Sequence, residues 1–264
     1  MFCFDSTTFL VIILFKILVT ITLAQQTPDY CVKGLCPKDT YHHVGCNTTR
    51  AFNSTCVKPK MVPMSTKRKN LLMMMHNRLR NHLASGKLDR YQKASNMSLM
   101  DWDDELAYLA ELNVKQCVME HDECRSTVKF FWAGQNLANR FQYPKLETYN
   151  VILKAFVKAW FKEHVDASME YIRSYKEPPK EIMIGHFTAL VRDVSTHMGC
   201  AIAVQTKTMY SKQHSRYLTG PQIFLACNYA NTNLLGQAIY REGQPCSQCS
   251  GKCHKAYTAL CDYR

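Results

Sequence analysis

The sequence predicts an α+β fold, with helices packed against a sheet. Three segments with apolar residues at helical spacing come first, and two runs that read as strands follow them. Thirteen cysteines in 264 residues add a third observation. Disulfides hold the parts of the chain that lack such patterning.

The chain opens with an apolar stretch from Phe9 to Leu23, interrupted only by Lys16, ahead of Thr22-Leu23-Ala24. This reads as a secretory signal, residues 1–24, cleaved after Ala24. Asp5 and the lack of an early Lys or Arg depart from the ideal, so an uncleaved anchor is the alternative. Lys16, however, leaves no unbroken apolar run of about eighteen residues, and no later segment supplies one. Removing the leader removes Cys3 and leaves twelve cysteines. An even set in an oxidising compartment implies disulfides and a secreted, extracellular protein without a transmembrane anchor.

Residues 25–63 show little periodicity and contain four cysteines, as expected for a stapled N-terminal extension that ends in a Val62-Pro63 linker. A main domain, 64–240, follows. Thr66 caps its first helix, Leu72, Met75, Leu79 and Leu83 form the apolar stripe, and Gly86 stops it. His76, on the stripe's edge, reads as a hydrogen-bonded core histidine. The second helix starts near Asp103, with Asp104 and Glu105 facing the positive end of the helix dipole. Leu106, Ala110, Val114 and Cys117 make its buried face, which one further turn would extend to His121. A third helix runs from about Thr148 to Ala167 on Ile152, Phe156, Ala159 and Trp160. Glu163 lies on the same face, where an acid must be paired or open to water. Residues 184–190 make one or two helical turns. Gly199–Val204 and Gln222–Cys227 read as strands joined by a polar turn region, and residues 241–264 form a short tail with four cysteines.

A composition of 47% hydrophobic and 20% charged residues is that of a globular chain. The net charge of +12 favours acidic glycans, lipid headgroups or acidic proteins as partners. Nucleic acid is not expected outside the cell. Apart from Lys67-Arg68-Lys69 the charges are scattered, as on a solvated surface. Sequons at Asn47, Asn53 and Asn96 predict surface loops and glycosylation.

Several motifs then combine. Gly185-His186-Phe187-Thr188 followed by Gly199-Cys200, and Phe224-Leu225-Ala226-Cys227-Asn228-Tyr229, resemble the two signature segments of the CAP superfamily of cysteine-rich secretory, antigen 5 and pathogenesis-related 1 proteins. His76-Asn77 with Arg80, Trp102-Asp103 with Glu105-Leu106-Ala107, and Gly134-Gln135-Asn136-Leu137-Ala138 agree in the same order. Asp29-Tyr30-Cys31, Leu35-Cys36, His121-Asp122 and Cys124-Arg125 are most similar to the insect antigen 5 branch. Cys227-Asn228-Tyr229-Ala230 with Thr232-Asn233, together with the tail spacing from Cys249 through Tyr257 to Leu260-Cys261, are similar to antigen 5-related proteins of flies.

The resemblance implies a three-layer α-β-α sandwich and disulfides Cys31 with Cys46, Cys36 with Cys124, Cys56 with Cys117, Cys200 with Cys227, and Cys249 with Cys261, leaving Cys246 for Cys253. A loop of about fifteen residues such as the first is worth roughly 3 kcal/mol in the chain-entropy model. The resemblance also implies a cleft of two histidines and two acids, which falls here on His121, Gln135, Glu163 and His186. Gln135 replaces the usual glutamate, and Arg192 stands where the signature usually has tryptophan.

His121, Glu163 and His186 are a possible ligand set for a weakly bound divalent metal such as zinc, with an open position for water. A metal-dependent hydrolase is the corresponding alternative. HExxH and GxSxG are absent, oxidised cysteines are not nucleophiles, and Gln135 cannot serve as a general base. The expectation is therefore a protein without catalytic residues or resident cofactor. Its partner is an extracellular protein, a receptor, or a lipid or sterol. The resemblance admits a seminal-fluid role in reproduction, with saliva, venom, gut or immunity as alternatives. A zinc reading of Cys246, Cys249, Cys253 and His254 yields to disulfides in a secreted protein, and the tail is too short for an ion-channel-regulating module.

Overall fold

The computed structural model describes residues 28–263, and Cys31 onward forms one compact unit. The leader and its cleavage site lie outside the described residues. The elements, in chain order, are β1 (Lys60–Val62), α1 (Thr66–Ala84), β2 (Asp101–Trp102), α2 (Asp104–Val114), β3 (Gly134–Phe141) and α3 (Tyr149–Lys162). A 3₁₀ turn (Glu163–Val165), α4 (Met169–Arg173), α5 (Gly185–Leu190), β4 (His197–Ser211), β5 (Arg216–Tyr229), β6 (Lys252–Cys253) and β7 (Cys261–Asp262) complete it.

The main sheet has the order β1-β4-β5-β3, with β2 alongside the start of β4, and it is antiparallel except for the β2–β4 pair. Successive strand residues alternate between two cores, as the period of two requires. Cys200, Ile202, Val204, Ile223, Leu225 and Cys227 join the larger core beneath α1, α3 and α5. Ala201, Ala203, Phe224, Ala226 and Leu137 face Ala110 and Val114 of α2. The sheet is thus the middle of three layers. Small residues let α2 lie close: a Cβ on Gly199 would sit 2.1 Å from the Ala107 backbone nitrogen.

Helix boundaries differ in detail from the sequence reading. Ser65, not Thr66, is the N-cap of α1, and Gly86 ends the helix at φ +75°. Asp103 caps α2 by accepting from the Leu106 amide at 2.9 Å. That helix stops at Val114, so His121 is carried by the following loop. Val62 is not linker but the end of edge strand β1, paired with Ile202. The region expected as a turn between the two long strands is itself strand, and only residues 212–215 make the turn. Ala259 and Leu260 of the C-terminal tail enter the larger core beside Ile239 and Tyr240.

Six disulfides join Cys31–Cys46, Cys36–Cys124, Cys56–Cys117, Cys200–Cys227, Cys246–Cys253 and Cys249–Cys261. Arg80 is wholly buried, and donates to the carbonyls of Ser98, Leu190, Arg192, Asp193 and Ser195. Five acceptors allow a charge to remain there, although burial pulls its pKa down to about 10. Arg192 is buried too, and its guanidinium donates to Asn231 Oδ1, Gln237 Oε1 and the Ala238 carbonyl. The departure from tryptophan is accommodated by polar partners. Asn47 and Asn53 are exposed, whereas Asn96 is half-buried, with Ser98 of its sequon fully packed. That segment is not a free surface loop, because Asn96 Oδ1 accepts from the Tyr263 hydroxyl of the tail.

Candidate functional site

The four cleft positions meet at the β3 edge of the sheet as two anchored pairs. Gln135, in register with Asn228, points to the α2 side and donates through its amide nitrogen to Asp122 Oδ2 at 2.7 Å and Asn228 Oδ1 at 3.0 Å. Both partners are acceptors, which fixes the amide orientation. The Gln135 oxygen therefore faces His121 Nδ1, 2.9 Å away, and that nitrogen must carry the proton.

The second pair comes from α3 and α5. Glu163 ends α3 and places Oε1 2.6 Å from His186 Nδ1, while its Oε2 accepts from the backbone amides of His186 (2.9 Å) and Phe187 (3.0 Å). The carboxylate thus fastens α5 to the end of α3. Trp160 stacks on the His186 ring at 5.9 Å and 15°, and donates its indole N–H to the Leu137 carbonyl of β3.

Both imidazoles are held through Nδ1, and neither Nε2 has a hydrogen-bond partner among the described residues. Loss of hydration first, then the charges of Arg125 and the neighbourhood of His186, pull the His121 pKa below the ordinary histidine value; the Gln135 hydrogen bond and Asp122 oppose this. A neutral His121 presents an acceptor lone pair. Asp122 is itself held by Asn113 and Arg125, so the loop carrying His121 is tied to α2.

A buried relay supports the other pair. His76 Nδ1 donates to the Leu72 carbonyl at 2.8 Å, so its Nε2 accepts from the Tyr229 hydroxyl at 2.9 Å. Asn136 Nδ2 donates to that hydroxyl (3.2 Å) and to the His186 carbonyl (3.0 Å). Asn136, Asp122, Asn228, Trp160 and Tyr229 were not assigned to the cleft from sequence. Two consecutive amides, Gln135-Asn136, on a strand between apolar neighbours were the available signal.

Chemically, the cleft offers the His121 acceptor and a second oriented imidazole, that of His186, backed by buried Trp160. All twelve cysteines from Cys31 onward are in disulfides, which removes thiol chemistry. Among the described residues no three His, Cys, Asp or Glu side chains are placed to hold a metal ion. In the trio His121, Glu163 and His186, both oxygens of Glu163 are already engaged by His186 and the start of α5, so the donors present do not make a three-ligand set.

The sequence profile of the cysteine-rich secretory protein family, CAP, matches residues 73–229. The chain belongs to this family. An antigen 5-like allergen, Cul n 1, of Culicoides nubeculosus is 48% identical over 190 residues, covering 69% of this chain and 86% of the relative. Venom allergen-1 of Aedes aegypti is 36% identical over 241 residues, covering 89% and 88%. The crystal structure of NaASP2 with Zn2+ shares the fold, with a TM-score of 0.59 at 22% identity over 80% of this chain and all of that one. The insect antigen 5 character and the CAP α+β sandwich are therefore established for this chain.

Proposed function

We propose that this CAP protein is secreted and acts by extracellular binding rather than catalysis. The observation that carries this reading is Gln135, an amide where the family pattern has an acid, locked by Asp122 and Asn228 so that it orients His121 and cannot exchange a proton. The opposite acid, Glu163, has both oxygens committed to the start of α5. Two oriented imidazoles, packed over buried Trp160, make a recognition surface for polar groups on an extracellular protein. No helix among the described residues is long and apolar enough to cross a membrane, and the related proteins are named as allergens, one of them a venom allergen. Those names favour a venom or salivary type of role over the seminal-fluid one. Expression by tissue and sex separates the two.

The direct test compares turnover of ester and peptide substrates, with and without added zinc, by the purified protein and its His121→Ala/His186→Ala variant. Equal, background rates support the reading, and turnover abolished by the variant overturns it.

A second reading is capture of an apolar ligand. A cavity of about 400 Å³, lined in part by Leu146, Tyr149, Pro221 and Ile223 near the start of α3, favours it. Saturable quenching of a fluorescent fatty acid or sterol, lost in Leu146→Glu, would support this reading; no saturable signal would remove it.

A further inference from the structure

The β4–β5 hairpin runs beyond the rest of its sheet. Pairing with β3 ends at Phe141 opposite Gln222, and pairing with β1 ends at Lys60 opposite Val204. From Lys207 to Gly220 the two strands have only each other, and their outer edges are unpaired in the sheet. The ribbon's two faces differ. On one, Leu218 is buried and Gly220 lies so close to the loop after β3 that a Cβ would meet the Gln142 carbonyl at 2.4 Å. On the other, Thr208 and Thr219 bond at 2.8 Å, and Tyr210 and Tyr217 sit opposite one another with ring centroids 5.4 Å apart. These two tyrosines are 52% and 72% exposed.

Charge is distributed as unevenly as the rings. From Val194 to Arg241 the chain contains no aspartate or glutamate, and Lys207, Lys212 and Arg216 all lie on the ribbon or its turn. All three are exposed. Arg216 donates to the Tyr143 hydroxyl at 3.0 Å, which brings the segment holding exposed Lys145 beside the turn. The acid next along that segment, Glu147, is paired with Arg140 at 2.9 Å. By strand alternation Lys207 and Arg216 fall on the Leu218 face, and Lys212 lies in the turn. The arm therefore presents uncompensated positive charge along its edge and turn, while its other face carries the two open aromatic rings.

We propose that this arm is a docking surface for a sulfated polysaccharide, separate from the cleft. Sulfate groups supply the charge that the lysines and Arg216 lack, and the C–H faces of sugar rings pack on tyrosine. A lipid surface fits less well: the turn, Ser211 to Arg216, is wholly polar, the open face carries hydroxyl-bearing side chains, and Met209 on the other face is a single exposed aliphatic group.

The test uses the purified full-length secreted protein and immobilised heparin as probe. At about 0.15 M salt the protein binds, and binding weakens as salt rises. Lys212→Glu/Arg216→Glu weakens it at least about tenfold, and Tyr210→Ala/Tyr217→Ala several-fold. Lys154→Glu/Lys158→Glu, the same charge change on the exposed side of α3, leaves affinity within about twofold. Circular dichroism verifies that each variant is folded. The proposal is overturned if the α3 variant loses as much as the arm variant, because bulk charge then explains binding. It is overturned also if the tyrosine variant binds like the parent, or if phosphatidylserine vesicles bind the arm and heparin does not.

Discussion

His76 has no exposed surface, and its burial lowers the pKa from the usual 6.5 to about 4. Below pH 6.5 the unfolded chain takes up this proton and the folded chain does not. Stability therefore falls as pH drops from 6.5 towards 4, by about 3 kcal/mol from this group, and levels below that. His43, His121, His164 and His197 are shifted in the same direction, chiefly by loss of hydration, and add to the slope. Urea unfolding of the oxidised protein at several pH values reads this out; His76→Gln should flatten the profile, and an unchanged slope would refute the assignment. At Gln135 the test runs the other way. Gln135→Glu sets a carboxylate against His121 Nδ1 and should raise the His121 pKa, measured by NMR titration. The sequence made His76 readable as a core histidine because it lies on the edge of the α1 stripe. It did not show that Tyr229 and Asn136 link His76 to His186, because the four come from separate strands and helices.

Among the elements, the helices were the more legible part, since the stripes on α1, α2 and α3 follow directly from a 3.6-residue period. The sheet was less so. β3 carries Gln135, Asn136, Asn139 and Arg140, which breaks the apolar alternation by which strands are recognised, and β1 is only three residues long. The polar ends of β4 and β5 resemble a loop because the hairpin there leaves the core. Where α2 meets β4 the packing leaves no space for a methyl group. Gly199→Ala should therefore cost about 1–3 kcal/mol in chemical unfolding, as overpacking does. A neutral substitution would show that α2 can lift from the strand.

For the molecule as a whole, the disulfides tie loops with little periodicity to a sandwich with its own core. Cys56–Cys117 spans 61 residues and fastens the N-terminal extension just beyond α2. Replacing both with alanine should cost roughly 4 kcal/mol by the chain-entropy estimate, seen as a lower unfolding midpoint, and an unchanged midpoint would mean that packing alone holds the extension. Cys36–Cys124 acts on the loop that carries His121, while Arg80 holds the end of α5, the helix that carries His186, and the residues that follow it. Both sides of the cleft are thus braced by framework rather than by a ligand. The central claim is that this bracing fixes two imidazoles through Nδ1 and leaves both Nε2 atoms open to a partner. Nitrogen-detected NMR of the histidine rings at neutral pH tests it most directly. The account predicts a protonated Nδ1 on both His121 and His186, with His121 losing that preference in Gln135→Leu. A proton on Nε2 with a bare Nδ1 at either histidine in the parent protein would contradict it.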